Sequence, residues 1–323
     1  IVCAGFFFAG DRREALSTLS TKLPLLVFPV IISTASIVDR TLIKQAGKLV
    51  IIAISSSLFI ALAYALIDVY STGEKLIQIG ESIYTKWEWF GLTRIFPNWH
   101  PTYIAVCVNL AIAIQFHNLL DPYTQNKKRS LLTNLPVFIF LTIGIVLINS
   151  MIGVVSYFCV LLYGGMLFLQ HFRVKPVYRL SLFFILAIAA LGLFYFNPLK
   201  MQKLDDLKTY QFKITDVQGE RNLLTMRMAK WNTYADVIKN NWLLGTTEGD
   251  IKIIRDKAYL NKGYMDLHHY SYNAHNQYLE VFAMYGLIGF IIFIGMLAGP
   301  LFTKNWHPWF IPFIIITDIS FLT

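Results

Sequence analysis

The chain is poor in charge. Asp, Glu, Lys and Arg make up 15% of its 323 residues, where a soluble domain carries about 25%. Hydrophobic residues reach 56% and the mean hydropathy is +0.53. Together these argue against a soluble domain and for a polytopic helical membrane protein. Cysteine is scarce too. Cys3, Cys107 and Cys159 all fall in apolar runs without CxxC spacing, so no disulfide framework is indicated and packing is the expected role. No internal repeat or low-complexity tract stands out. Acidic residues are outnumbered, and the formal net charge is +9. In a soluble protein that excess would suggest nucleic acid. In a membrane protein it marks cytoplasmic loops, or sites for anionic lipid and phosphate, and no nucleic-acid partner is expected.

What the chain has is long apolar runs, at 1–10, 24–38, 49–70, 102–120, 132–150, 151–170, 179–197, 278–302 and 308–323. The expected fold is all-α, a polytopic transmembrane helical bundle with a large extracytoplasmic loop. Residues 1–197 and 278–323 supply the membrane helices and 198–277 the loop. Because the first and last runs begin and end abruptly, the chain reads as a segment of a longer protein. "INSMIG" (Ile148–Gly153) is the expected hairpin between two adjacent spans. Lys127, Lys128 and Arg129 lie in one short loop and Arg173, Lys175 and Arg179 in the loop two spans later, so both read as cytoplasmic. The long loop is then outside, where segments of such length are usually functional. Phe, Tyr and Trp, at 25, 17 and 7 residues, suit aromatic belts and sugar-stacking surfaces.

Within the loop, Glu220–Gly245 reads as an amphipathic helix ending at Asn240 or Asn241. At roughly 100° per residue, Leu223, Leu224, Trp231, Tyr234 and Ile238 form one apolar stripe, opposite Asn232, Asp236 and Lys239. Arg227 falls at the centre of that stripe. A charge there needs a partner, and a guanidinium fork suits a phosphate or carboxylate; a structural ion pair or a snorkelling arginine is the competing role. Arg221 is a second phosphate contact or a solvated charge, and Arg255 and Lys252 are further candidates. Asn273 reads as an N-cap that places His275 in a first helical turn, where the positive helix end keeps imidazole neutral and able to accept a proton. The competing role is an interfacial histidine bonding loop backbone. His268 and His269 lack ligand spacing, and no metal site is expected. Gly286 and Gly289 are spaced for close helix packing in lipid.

These stretches resemble the bacterial O-antigen ligase and O-antigen polymerase superfamily. The matching motifs are "RMAKW" (Arg227–Trp231), "NNWLLGTT" (Asn240–Thr247) and "AHNQYLEVFAMYGLIGF" (Ala274–Phe290). "DRREALSTLSTKLPLLVFP" near the start and "HPTYIA" (His100–Ala105) also look like members of it. The resemblance implies a membrane glycosyltransferase of the inner membrane with its site on the periplasmic face. Its donor is a glycan on undecaprenyl diphosphate, and its acceptor is a hydroxyl on lipid A-core, on another glycan, or on a protein. It needs neither metal nor cofactor. Carried over, Arg227 holds the diphosphate and His275 activates the acceptor. Arg221, Lys230, Trp231, Tyr234, Asn276, Arg94 and Arg255 are the candidate substrate-binding residues around them. One departure stands out. Where relatives carry a Ser-Arg pair, this chain has "NSMIGVVS", with Met151 in place of the arginine, so Arg221, Arg94 or Lys230 is left to supply a second cation. The competing class is a transporter of lipid-linked glycans. It would need polar groups at the membrane midplane, and the apolar runs hold little of that kind: Asn109, Gln115 and Asn149, with Asp68 near an end.

Overall fold

The computed structural model of the chain describes residues 7–22, 27, 40–75, 77–79, 83–85, 92, 100–120, 127–148, 150–171, 175, 177–178, 180–181, 184–185, 188, 223–302 and 310–322. In chain order the helices are α1 (Arg12–Lys22), α2 (Arg40–Thr72), α3 (Pro101–Leu120), α4 (Lys127–Leu147), α5 (Met151–His171), α6 (Leu223–Asn240), α7 (Ile251–Asn261), α8 (Met265–His269), α9 (Gln277–Ala298) and α10 (Phe310–Ser320), with a 3-10 turn at Gly299–Phe302. The all-α expectation holds among the described residues apart from a short antiparallel hairpin, β1 (Ile77–Ile79) with β2 (Ile83–Thr85), in which Gln78 pairs with Tyr84. The apolar runs expected at 24–38 and 179–197 fall mostly outside the described residues.

The chain forms two compact units, 39–204 with 305–320, and 1–38 with 205–304 and 321–323. The expected division at 277/278 therefore runs through a compact unit: α9 belongs with the loop helices.

In the first unit α3 packs against α2, α4, α5 and α10. Its core joins Leu58, Ala61 and Ala65 of α2 to Ala105, Val108 and Ile112 of α3, Leu141 and Ile145 of α4, Val160 of α5 and Ile316 of α10. Small residues set the closest approaches. A Cβ on Gly153 would overlap the Cβ of Ala105, and Gly164 lies against the Phe116 ring. The polar groups inside tie helices together: Asn109 Nδ2 donates to the Gly153 carbonyl at 2.8 Å and Gln115 Nε2 to the Asn134 carbonyl at 3.2 Å. As the expected hairpin requires, α4 ends at Leu147 and α5 begins at Met151, where the Ser150 hydroxyl accepts from Gly153 N at 3.1 Å and caps α5. The outside of this unit is apolar. Leu135, Ile139, Ile143 and Val146 form an exposed stripe along α4, and α2 exposes Leu49, Ile52, Phe59, Ile60 and Ile67. Such continuous surface is matched by lipid rather than water. Thr41–Thr72 is long and apolar enough to cross a membrane.

The second unit is organised by a break in α9. Gln277–Ala298 also has the length and composition of a membrane span, and the sequence reads as one span there. Gly286, at φ 62° and ψ −165°, breaks it. Residues fifteen apart in a straight helix are separated by about 22 Å, yet the rings of Tyr278 and Phe293 are 5.9 Å apart, and Phe282 stacks on Phe290 at 5.0 Å. The element is therefore two arms, 277–285 and 287–298, folded towards each other at Gly286, and neither is long enough to span a bilayer alone.

The backbone groups freed by the break are taken up by the turn that follows α6. Thr246 N and Thr247 N donate to the Ala283 and Met284 carbonyls, both at 2.9 Å, and Leu287 N donates to the Trp242 carbonyl at 2.8 Å. Two glycines permit this contact. Gly245 has φ 75°, and a Cβ on either Gly245 or Gly286 would overlap backbone of the other segment. Gly286 thus serves a backbone crossing, not the helix–helix packing expected of it. Around the crossing, Tyr234, Val237, Ile251, Ala274, Ala283 and Met284 form the core of this unit. Helix α1 joins through Asp250, whose carboxylate accepts from Gly10 N at 3.0 Å, Asp11 N at 3.2 Å and the Thr247 hydroxyl at 2.9 Å. Those bonds hold its carboxyl below its ordinary value despite the burial that works the other way.

A left-handed backbone disfavours any Cβ by about 1–2 kcal/mol, before any overlap is counted. Gly286→Ala should therefore lower the thermal midpoint of the detergent-purified protein by more than about 2 kcal/mol implies. Gly295→Ala, in the second arm with open space around it, should leave the midpoint nearly unchanged.

Candidate functional site

Helix α6 buries Ala229, Lys230, Thr233, Tyr234 and Val237. Asn232, Asp236 and Lys239 face outward as the periodicity predicts. The buried face is rotated by about a quarter turn from the expected one: it is centred near Thr233 and Val237, and Arg227 lies half-buried at its margin. The physical reason is size. Ala229 and Thr233 let the helix press close on that side, against Tyr259, Tyr264 and Leu267.

Among the described residues the two cations of this face have no carboxylate partner. Arg227 makes no hydrogen bond or ion pair among the described residues, and burial pulls its guanidinium below the ordinary value. Lys230 is 6% exposed, and its ammonium sits 4.4 Å from the centroid of the Tyr272 ring. Burial and the neighbouring Arg227 charge bring its pKa down to about 8. Two partly desolvated positive charges side by side, relieved only by an aromatic face, form a place that an anion would stabilise.

One turn beyond Arg227, Trp231 donates Nε1–H to the Ala274 carbonyl at 3.1 Å. The other side of that residue is held as well. Ala274 N donates to Glu280 Oε1 at 2.6 Å, and the same oxygen accepts the Tyr234 hydroxyl at 2.7 Å. Both polar groups of the Ala274 backbone are thus fixed by side chains from α6 and α9, and the next residue is His275. The structure thereby brings the Arg227 helix and the His275 loop into direct contact. The rings of His275 and Tyr272 are 6.3 Å apart, so Tyr272 lies between His275 and Lys230.

His275 is not in a first helical turn. The cap is Asn276, whose Oδ1 accepts from Tyr278 N at 3.0 Å and Leu279 N at 3.2 Å, and Asn273 instead accepts from His275 N at 3.3 Å. His275 stands just ahead of the helix, exposed, with φ 48°. A non-glycine residue held in the left-handed region costs of order 1 kcal/mol and persists only where its surroundings enforce it, as functional residues often show. Here the fixed Ala274 on one side and the Asn276 cap on the other enforce it.

Two expected substrate contacts are placed elsewhere. Tyr234 is fully buried, and burial with the Glu280 charge pushes its hydroxyl well above the ordinary range, so it anchors Glu280 as a hydrogen-bond donor. Arg255, 6% exposed, pairs with Asp256 at 2.9 Å and donates to the Ser271 hydroxyl at 2.5 Å, which in turn donates to Asp256 at 2.7 Å. Burial opposes its charge, but Tyr234 and Asp256 outweigh that. The triad holds Ser271 at φ 50° and so shapes the loop leading to His275. Arg94 and Arg221 lie outside the described residues. Met151 begins α5 in the other unit. Among the described residues no group of three or more His, Cys, Asp or Glu is placed to hold a metal.

Residues 136–294 match the family model for O-antigen ligases. The chain carries an O-antigen ligase family domain. Comparison with curated proteins and with solved structures gives no match. The O-antigen ligase match contains Arg227, Lys230, Trp231, Ala274, His275 and Glu280. Together with the apolar helices it indicates a membrane protein of polysaccharide biosynthesis and an enzyme of the ligase or polymerase type; the substrates of that family are in general lipid-linked glycans and lipid A-core.

Sequence reasoning missed Glu280 and Tyr272. The first had a signal: a glutamate four residues after a capping asparagine can reach back to loop backbone, much as in a capping box. Tyr272, in "YSYNAH", had none.

Two measurements check this geometry. Glu280→Ala should destabilise the protein by about 2–4 kcal/mol, since a charged acceptor of two bonds is lost. Glu280→Gln, whose amide oxygen still accepts both, should cost far less in a thermal melt. For Lys230, the folded-state pKa of about 8 lies below the ordinary 10.5. Between those values the unfolded chain holds a proton that the folded chain has released, so stability rises with pH across this window. Lys230→Met should be more stable than the parent at pH 7 by roughly 1–3 kcal/mol, and the advantage should shrink towards pH 10.5.

Proposed function

We propose that the chain is a polytopic inner-membrane glycosyltransferase that moves a glycan from undecaprenyl diphosphate to a hydroxyl of lipid A-core, with its site on the periplasmic face. The observation that carries this reading is the bond from Trp231 to Ala274, which puts the arginine motif and the histidine motif into one site. The arms folded at Gly286 support it. They keep the His275 end of α9 close to the apolar second arm, as a lipid-bound donor requires, instead of a full helix length away.

In this reading Arg227 grips the diphosphate with its fork and Lys230 supplies the second positive charge in place of the arginine missing at Met151. The anion raises the lysine's proton affinity again, so both cations are fully charged in the donor complex. His275 takes the proton of the acceptor hydroxyl as its oxygen bonds to the anomeric carbon. The bond from that carbon to the phosphate oxygen breaks, and undecaprenyl diphosphate leaves with the electron pair, stabilised by the two cations. The leaving group is already an anion of low basicity, so no strong general acid is required. Trp231, Glu280 and Tyr234 position the histidine, and Asn276 sets the helix behind it. The side-chain amides of Asn109 and Gln115 donate to carbonyls of neighbouring helices, which supports a packing role for them over a transport pathway.

His275→Ala should insert and fold normally, yet lose on the order of 10²–10⁴ in transfer rate. Arg227→Lys should bind donor poorly, since a point charge does not replace the fork. Both are read by reconstituted transfer from lipid-linked glycan, and full transfer by the histidine variant overturns the assignment. In cells, deletion followed by a glycan ladder separates the finer roles. Loss of all glycan from lipid A-core marks a ligase, a single-repeat product a polymerase, and unmodified protein with intact lipopolysaccharide a protein glycosyltransferase.

A further inference from the structure

The loop that leads into His275 holds aromatic rings in the open. Tyr270 is 64% exposed, His269, Asn273 and His275 are exposed beside it, and Tyr272 is half-buried. Of these, the proposed chemistry uses His275 alone. Their exposure is not that of an unfastened loop, because the backbone beneath them is pinned from three sides. Arg255 and Asp256 hold the Ser271 hydroxyl. The Tyr259 hydroxyl donates to the Tyr272 carbonyl at 3.0 Å. Trp231 and Glu280 take both backbone groups of Ala274.

The rings form a line that starts at His275. Tyr272 is 6.3 Å from it, Tyr270 is 5.5 Å from Tyr272, and His269 is 4.9 Å from Tyr270. Successive planes are tilted by 49°, 40° and 81°. Phe282 and Phe290, at 16°, each cover a face of the other; the tilted rings leave more of their faces open. The surface they make narrows its own occupant. No Leu, Ile, Val or Met occurs from His268 to Gln277, so acyl chains and apolar helices lack a match there, and no Lys or Arg occurs to draw an anion. Aromatic faces carry negative potential and attract weakly positive C–H groups. Phenol and amide groups at the edge, from Tyr270, Tyr272 and Asn273, exchange hydrogen bonds with hydroxyls. A pyranose ring offers both, a face of C–H groups and a rim of hydroxyls.

We propose that Tyr272 and Tyr270 are successive rungs of a sugar subsite for the acceptor glycan. Tyr272 holds the sugar whose hydroxyl His275 deprotonates, and Tyr270 holds the next sugar along. The inference rests on reading His275 as the base that activates a hydroxyl of lipid A-core. The acceptor is the occupant because the line begins at that base and runs on to rings, whereas the donor diphosphate belongs with Arg227 and Lys230. Tyr272 joins the two halves: the Lys230 ammonium sits over its ring and His275 stands beside it. The reacting sugar is thereby kept next to the charges that receive the leaving group.

The test is reconstituted transfer by the full chain from lipid-linked glycan to lipid A-core, with each substrate varied in turn. Tyr270→Ala, at an exposed position, should melt as the parent does. Its KM for lipid A-core should rise roughly three- to tenfold, the worth of one aromatic contact, and its KM for the donor should not move. Tyr270→Phe keeps the ring and should stay near the parent, while Tyr270→Leu, apolar without a ring, should follow the alanine variant. Core oligosaccharide freed from its lipid should compete with lipid A-core, and less well against Tyr270→Ala by the same factor. A rise in the donor KM instead makes the rings a donor subsite and overturns the proposal. So does an alanine variant with both KM values unchanged, or a leucine variant that matches the parent. In each of these cases transfer by the parent leaves the acceptor reading intact. If the parent transfers nothing to lipid A-core, that reading falls and the subsite falls with it.

Discussion

Two stretches of backbone meet at Gly245 and Gly286 with no side chain between them, and the loop unit is assembled around that contact. A helix cannot fold back on itself without orphaning carbonyls and amides in the turn. An orphaned backbone group in an apolar setting is costly. The α6–α7 turn supplies the missing partners at Ala283, Met284 and Leu287, and only glycine leaves room for it to approach. From this crossing follow the angle of the first arm, the contact of Glu280 with Tyr234 and Ala274, and the position of His275. The motifs at 240–247 and 277–290 are thus two halves of one backbone joint.

The site built on this joint is costly to maintain by itself. Thr247, Ser271 and His275 are non-glycine residues in the left-handed region, each fastened by neighbours: Asp250, the Arg255–Asp256 pair, and the fixed Ala274 with the Asn276 cap. Arg227 and Lys230 repel each other in partly desolvated positions. A fold selected for stability alone would place a carboxylate here, as it does around Arg255. Among the described residues, the arginine of α7 has its carboxylate and the cations of α6 do not, and that contrast is what the proposed role for Arg227 and Lys230 rests on.

The sequence shows the helical class, the break between α4 and α5, the end of α6 at Asn240 and the two motifs of the candidate site. These are readable because they depend on local pattern: apolar run length, turn residues, and spacing along one helix. What stays hidden depends on long-range contact. Periodicity places Arg227 at the centre of a stripe, but the true centre, near Thr233 and Val237, is set by how closely Ala229 and Thr233 let α7 and α8 approach. The cap passes from Asn273 to Asn276 because the Ala274 backbone is held by Trp231, 43 positions back, and by Glu280, whose own place is fixed by Tyr234. An apolar run such as 278–302 has the composition of a single span, and hydropathy alone does not register that Gly286 turns it back.

The bonds from Gly10 and Asp11 to Asp250 join residues about 240 positions apart in the chain. The Thr247 hydroxyl bonds the same carboxylate. A single aspartate thus clasps the start of the chain to the turn that begins α7, and replacing it would leave the last third of the protein unable to close on its own beginning.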